Sequence, residues 1–226
     1  MNIRSALPLH VVVMGLWLFA ACTTEEYESG DGKYSYLRAD FVEAHSGEAK
    51  KVVYATTDEG DSLVFRGGAD CSWTTTPDSI YRGLLYSARD GETAPYTHFV
   101  SMSPVLVLNV PEKKREKLVT DPLTLESAWV SANGKYLNLG LCVKTGVDES
   151  DEKKTHLLGV DRDTLFQHVD GRHELHLILY HDQGGVPEYY TTNVYASIPI
   201  GQLAKGDVIK LDVQTYNGQV SHTFIK

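Results

Sequence analysis

Leu125-Glu126-Ser127-Ala128-Trp129-Val130-Ser131-Ala132-Asn133-Gly134-Lys135-Tyr136-Leu137-Asn138-Leu139-Gly140-Leu141 reads as a β-hairpin. Asn133-Gly134 has the two-residue type I′ signature, which requires positive φ at both positions. Pairing Ala132 with Lys135 sets Val130 opposite Leu137 and Ala128 opposite Leu139, with Leu141 on the same face. The other face carries Leu125, Trp129, Tyr136 and Cys142, so it too should be partly covered. Asn217-Gly218 repeats the signature. Pairing Tyr216 with Gln219 there predicts Leu211 opposite Phe224 and Val213 opposite His222. Ile209, Leu211 and Val213 then line one face, while Lys210, Asp212 and Gln214 line the other. An apolar and a polar face are what an outer strand pair of a sandwich needs.

Between the hairpins, Thr155–Val160, Glu174–His181 and Tyr189–Ile198 add about three strands. Loops at Asp148–Lys154 and Asp182–Pro187 separate them. Short strands with regular turns and no long helical periodicity predict an all-β chain, with an antiparallel β-sandwich over 123–226.

Upstream, residues 34–110 also read as strands. Lys51–Thr56 meets Asp61–Arg66 across the turn chemistry of Thr57-Asp58-Glu59-Gly60, and Ile80–Ala88 and Thr97–Val110 follow. Five strands in so short a stretch suit a small OB-like β-barrel, although spacing alone does not choose among small barrels. Gly67–Asp78 is a loop. Tyr34, Tyr36, Tyr54, Phe65, Tyr81, Arg82 and Tyr86 could form a stacking platform, but aromatic residues on strands more often pack in cores or across strands. Six Lys/Arg against ten Asp/Glu in this half make a poor nucleic-acid surface. Residues 111–122, opened by Pro111 and charged through Lys117, read as a solvated linker between the domains.

The apolar run Val11–Ala21, followed by Cys22, is too short to span a bilayer and reads as an export signal. Leu18-Phe19-Ala20-Ala21-Cys22 resembles a bacterial lipobox, which implies cleavage after residue 21 and a lipid on Cys22. The alternative is an ordinary secretory signal that leaves a free cysteine. Several acyl chains on one cysteine hold a protein stably in a membrane. Residues 22–33 are polar and acidic, a flexible tether. Glu25-Glu26 resembles the surface-export signal of some Gram-negative lipoproteins, which implies an outer membrane lipoprotein exposed at the cell surface, with the periplasmic face of that membrane as the alternative. Removing residues 1–21 takes Arg4 and moves the net charge from −9 to −10, which argues against nucleic acid as a partner.

Candidate chemistry is sparse. Cys71 and Cys142 could pair as a disulfide in an oxidising envelope or stay free thiols. His168, His173, His176 and His181 cluster in sequence, but His173-Glu174-Leu175-His176 lacks the zincin spacing. On a strand His173 and His176 point to opposite faces, and His173 and His181 lie more than about 25 Å apart. Asp161, Asp163 and Asp170 lack the spacing of a known calcium loop. Neither a metal nor a cofactor is expected, and no nucleophile elbow or phosphate loop is present in the sequence.

The stretches Asp121-Pro122-Leu123, Ala128-Trp129-Val130, Tyr136-Leu137-Asn138-Leu139, His173-Glu174-Leu175-His176-Leu177, Tyr195-Ala196-Ser197-Ile198 and Val213-Gln214-Thr215-Tyr216-Asn217-Gly218 resemble those of the NigD-like lipoproteins. The resemblance spans nearly the whole chain after residue 21. It implies an exported lipoprotein with an N-terminal OB-like domain and a C-terminal β-sandwich, and it carries no catalytic residues across. The expectation is therefore a non-catalytic binding or accessory module for a glycan, peptide or protein partner. An uncharacterised hydrolase of envelope polymers, or a structural subunit of a surface assembly, is the alternative. The loops at Gly67–Asp78, Asp148–Lys154 and Asp182–Pro187 are the expected contact points.

Overall fold

A computed structural model describes residues 37–89, 97–147 and 154–226. The signal, the tether, Tyr34, Tyr36 and nearly all of the Asp148–Lys154 loop lie outside the described residues. The first strand, β1 (Leu37–Ser46), alternates strictly: Val42 and Ala44 are buried on one face, while Phe41 and Glu43 point to the other. It pairs antiparallel with β2 (Val52–Thr57) on one side and with β4 (Ile80–Arg89) on the other. β3 (Ser62–Ala69) and β5 (Thr97–Pro104) complete the order β3-β2-β1-β4-β5, which contains the Greek-key arrangement 4-1-2-3. The sheet curls until β3 and β5 approach each other, forming a half-barrel around Val42, Val52, Ala55, Phe65, Leu85 and Met102. Gly60, at φ 95°, makes the expected turn between β2 and β3.

The loop at Gly67–Asp78 does not stand free. Its first residues extend β3, and the rest folds over the barrel mouth. Trp73 Nε1 donates to the Met102 carbonyl at 3.2 Å, and the buried Thr74 hydroxyl donates to that of Lys50 at 2.9 Å. The stacking platform dissolves as well. Phe65 is buried edge-on against Phe99, Tyr54 stacks on His45, Tyr81 meets Trp73, and Arg82 faces away from the barrel interior.

From Val105 the chain enters the sandwich. β6 (Leu106–Val107), β7 (Thr124–Val130), β8 (Tyr136–Thr145) and β11 (Tyr190–Pro199) form one sheet in the order β6-β11-β8-β7. β9 (Leu157–Gln167), β10 (His173–Asp182), β12 (Val208–Thr215) and β13 (Gly218–Ile225) form the second, in the order β13-β12-β10-β9. Leu137, Leu139, Leu141 and Ile198 from the first sheet meet Leu177, Leu179, Ile209 and Leu211 from the second, all essentially out of contact with water. Each such side chain stabilises the fold by roughly 1.5–3 kcal/mol relative to exposure. Most ladders are antiparallel, with two exceptions. β12 runs parallel to β10 because β11 crosses to the other sheet between them, and β6 adds parallel to β11. The charged linker lies against β9, where the Arg115 amide donates to the buried Asp161 carboxylate and Lys114 pairs with Asp163.

The first hairpin has the predicted register, Val130 opposite Leu137 and Ala128 opposite Leu139. Its turn is not type I′. Gly134 has φ 66°, but Asn133 stays at negative φ and uses its side-chain oxygen to accept from the Ser131 hydroxyl and the Lys135 amide. The second hairpin corrects the expectation by two residues: Leu211 faces His222, and Ile209 faces Phe224. The turn centres on Tyr216-Asn217, and Gly218 takes the single left-handed position at φ 108°. That position suits glycine, which has no Cβ to clash. A slip of two preserves the side-chain alternation, so Ile209, Leu211 and Val213 remain buried as expected.

The polar face of β8 and β11 is covered by the half-barrel. Phe41 packs edge-on against Trp129 and Tyr195. Beside it Arg82 forms a two-pronged pair with Asp58 at 2.8 and 2.7 Å; its Nη2 also donates to Asn138 Oδ1 at 3.0 Å, and its Nε donates to Ser197 Oγ at 3.1 Å. Asn138 Nδ2 returns a bond to Asp58 at 2.8 Å, and the guanidinium lies 4.0 Å from the Tyr136 ring centre. The Tyr136 hydroxyl donates to Glu43, and burial together with that acceptor pushes its pKa up to about 12.

Candidate functional site

Where the two sandwich sheets gape beside β6 and β9, Leu106, Val107, Val143, Leu158, Thr192 and Val194 line a cavity of about 360 Å³. The walls follow from strand alternation: Thr192 and Val194 share the inward face of β11 with the buried Ala196. At the floor stand two histidines. His181 is buried on β10, and His156 immediately precedes β9. Their rings stack at 5.2 Å between centroids, with Nδ1 of His156 3.0 Å from Nε2 of His181.

Two loops fix the pair. Thr120 bridges His181 in parallel, the Asp121 amide bonds its carbonyl, and the Asp121 carbonyl lies 3.3 Å from His181 Nδ1. The Asp121 side chain accepts from the Gln183 amide at 2.8 Å, tying down the loop at Asp182–Pro187. Within that loop Gly184 sits at φ 59° with its α-carbon against the Thr155 backbone, where any side chain would collide. That close approach sets the position of His156.

The proton order in the neutral pair follows from the partners. A carbonyl can only accept, so His181 Nδ1 carries a hydrogen and its Nε2 accepts from His156 Nδ1–H. His156 Nε2 is left as a bare acceptor. It is buried and has no hydrogen-bond partner among the described residues. Burial and the neighbouring His181 hold the His156 ring below its usual pKa, which favours this neutral form.

The other sequence candidates do not converge. His168, His176 and Lys210 all contact Glu174 on the outer face of the second sheet, holding its carboxyl down to about 2. His173 turns instead to Asp207 at 3.6 Å. Asp161 accepts backbone amides, Asp163 pairs with Lys114, and Asp170 pairs with Arg172. Among the described residues no three His, Cys, Asp or Glu side chains are placed to hold a metal ion. Cys71 and Cys142 stand as free thiols in separate halves of the structure. Cys142 Sγ lies 3.0 Å from Asn193 Oδ1, and burial with Glu126 nearby pushes its pKa up to about 11. Sequence reasoning missed His156. Counting back from the β9–β10 turn at Asp170-Gly171 would have set His181 opposite Gly159; the bulge between His176 and Leu177 shifts the ladder, and His156 lies just beyond its last pair, Leu157 with Asp182.

The site belongs to a class of all-β proteins in which a curled half-barrel is fused to a β-sandwich, and the recess lies between strands. Residues 106–226 match the NigD-like C-terminal beta sandwich domain, and the chain belongs to the NigD-like family. Its fold is similar to that of a NigD-like immunity protein from Bacteroides caccae: TM-score 0.63, 21% identity, covering 83% of this chain and 97% of that one. A candidate toxin-related protein from Parabacteroides distasonis follows at TM-score 0.61 and 16% identity, covering 84% and 93%. A candidate lipoprotein from Bacteroides fragilis has TM-score 0.54 and 13% identity, covering 83% and 96%. At these identities the likeness establishes the fold. No curated protein matches the chain. Among the described residues no helix is long and apolar enough to cross a membrane.

Proposed function

We propose that this protein is a non-catalytic binding module of the cell envelope, anchored by a lipid on Cys22, with the cavity beside His156 as its binding site. The observation that carries the reading is an apolar recess whose floor presents one buried acceptor without a partner. Such walls with a single convergent polar group suit recognition of an apolar side chain or molecule. They suit a glycan poorly, because each buried sugar hydroxyl needs a partner. The reading is therefore narrowed to a peptide or protein ligand, and the relative named as an immunity protein supports a protein partner. Turnover at His156 would need a nucleophile and an oxyanion donor in reach, and among the described residues Thr192 is the one side-chain hydroxyl lining the cavity.

The lipobox-like ending at Cys22 and the relative named as a candidate lipoprotein support the anchor, and Glu25-Glu26 supports the outer face of the outer membrane. A Cys22→Ser variant should leave the membrane fraction, and its retention there would remove the anchor from the proposal. Binding is tested with the Cys22→Ser chain lacking residues 1–21, screened against peptide and glycan arrays with product analysis of every hit. A saturable peptide recovered unchanged supports the module, whereas chemical conversion of the hit overturns it.

A further inference from the structure

Beside the cavity, β11 leaves a long stretch of its edge unpaired. β6 covers it at Ala196 and Ser197, and among the described residues no strand pairs with the outer edge of Tyr190–Tyr195. The direction of the free groups follows from one bond. The Leu108 amide donates to the Ser197 carbonyl at 2.9 Å, so Ser197 aims its backbone groups outward, towards β6. Strand alternation gives the same orientation to Tyr195, Asn193 and Thr191, while Val194 and Thr192 bond inward to β8. Three amides and the carbonyls of Thr191 and Asn193 therefore form an open ladder, the Tyr195 carbonyl being taken by the Leu106 amide in the Ala196–Leu106 bridge.

Natural sheets blunt such edges with charge, proline, a bulge or a cover. β9 does so: Asp161, Arg162 and Asp163 populate it, and the linker lies across it. Tyr190-Thr191-Thr192-Asn193-Val194-Tyr195 has no charge and no proline, and apart from the half-buried Val194 it is exposed. At its mouth Leu106, Val107 and Leu157 are exposed apolar residues around a recess that reaches His156. A lone unpaired edge would be an aggregation liability, whereas an edge next to an apolar recess with an orphaned acceptor has the two parts of a strand-addition site.

We propose that an extended peptide segment of a protein partner adds to the edge of β11 at Thr191, Asn193 and Tyr195, continuing the position of β6. One inward side chain then enters the cavity and donates an O–H or N–H bond to His156 Nε2, as tyrosine or tryptophan can. Backbone bonding supplies affinity for any extended chain, and the recess selects the anchor residue. Thr192 and Val194 face the cavity on β11, so the inward side chain of the added strand lies beside them over the same recess. The inference rests on the binding-module reading and adds to it the mode and the anchor.

The test pans a phage-displayed library of random ten-residue peptides against the Cys22→Ser chain lacking residues 1–21. Selected peptides are then titrated by calorimetry and by amide exchange. The expected result is enrichment of uncharged, alternating sequences with tyrosine or tryptophan, and new exchange protection at the Thr191, Asn193 and Tyr195 amides. Affinity should fall about tenfold or more in His156→Phe, and by a similar factor in Asn193→Pro, which deletes an outward amide that β8 does not use. If Asn193→Pro does not fold, a peptide N-methylated along one edge replaces it, with the same loss expected. Selected peptides that protect other amides and ignore both variants would overturn strand addition while leaving a binding module. Failure to select any peptide, with saturable binding of the small probe 4-ethylphenol at His156, would likewise overturn strand addition and keep the cavity. Failure of both peptides and probe would overturn the cavity reading itself.

Discussion

Replacing Arg82 tests whether the half-barrel and the sandwich are held together by buried charge. The Arg82 and Asp58 side chains are 2% and 5% exposed, and their two bonds at 2.7 and 2.8 Å lie among Asn138, Ser197 and the Tyr136 ring. Arg82→Met leaves the Asp58 carboxylate in the same dry site with Asn138 Nδ2 as its remaining side-chain donor. Breaking one side of a buried pair typically costs about 3–5 kcal/mol, and each kcal/mol moves the midpoint of a chain this size by about 2–4 °C. Scanning calorimetry at pH 7 should therefore show a fall of about 6–20 °C, little changed by added salt because the site excludes water. Adding Asp58→Leu should recover at least half of the loss, since the unpaired charge is then gone. A fall of less than about 2 °C in Arg82→Met would refute the reasoning. A double variant as unstable as the sum of its singles would refute it as well.

Other outcomes follow from the site and the core. His156 has a folded-state pKa below its unfolded value, so between that folded value and pH about 6.5 the unfolded chain binds more protons. Stability should therefore fall as pH drops below about 6.5, and His156→Phe should flatten that limb of a urea-midpoint profile. A profile unchanged by the substitution would count against the buried neutral pair. Glu174 should titrate near 2 in a carbon-detected NMR titration, and its stabilising contribution, present above the unfolded pKa, is lost as pH falls towards 2. A midpoint near 4 would dissolve the cluster with His176, Lys210 and His168. A methyl group at Gly159 would overlap the Tyr180 hydroxyl and ring, so Gly159→Ala should cost about 1–3 kcal/mol in urea unfolding. Cys142 should resist thiol reagents at pH 8 in the native protein. The Cys22→Ser chain should yield two free thiols on unfolding without reductant, and none would establish a Cys71–Cys142 bridge.

The sandwich was legible because period-two alternation and turn residues fix which face each strand buries. At Asn133-Gly134 the register follows from the flanking leucines even though Asn133 caps the turn instead of adopting positive φ. At Asn217-Gly218 the same dipeptide took a different turn position, and the two-residue slip was invisible to facing. Asp58, Arg82, Asn138 and Ser197 were not legible as a group. Each looks like an ordinary turn or strand residue, and their convergence depends on docking two sheets whose relative placement no local pattern encodes. His156 lay one step beyond a ladder whose bulge between His176 and Leu177 no local pattern announces. The outward histidines were the more conspicuous set, but hydrogen bonds to Glu174 engage two of them.

The separation along the chain between Arg82 and its partners has a consequence for biogenesis. Asp58 is 24 positions from Arg82, whereas Ser197 is 115 away. Every strand of the half-barrel precedes every strand of the sandwich, so a chain emerging from its N-terminal end completes the first before the second. In that interval Phe41, Asp58 and Arg82 face water, and their charges are solvated. Docking of β8 and β11 then seals them, late and all at once. A truncated or misfolded sandwich thus leaves an aromatic, charged scar on an otherwise finished half-barrel, a surface that distinguishes an incomplete molecule from a complete one.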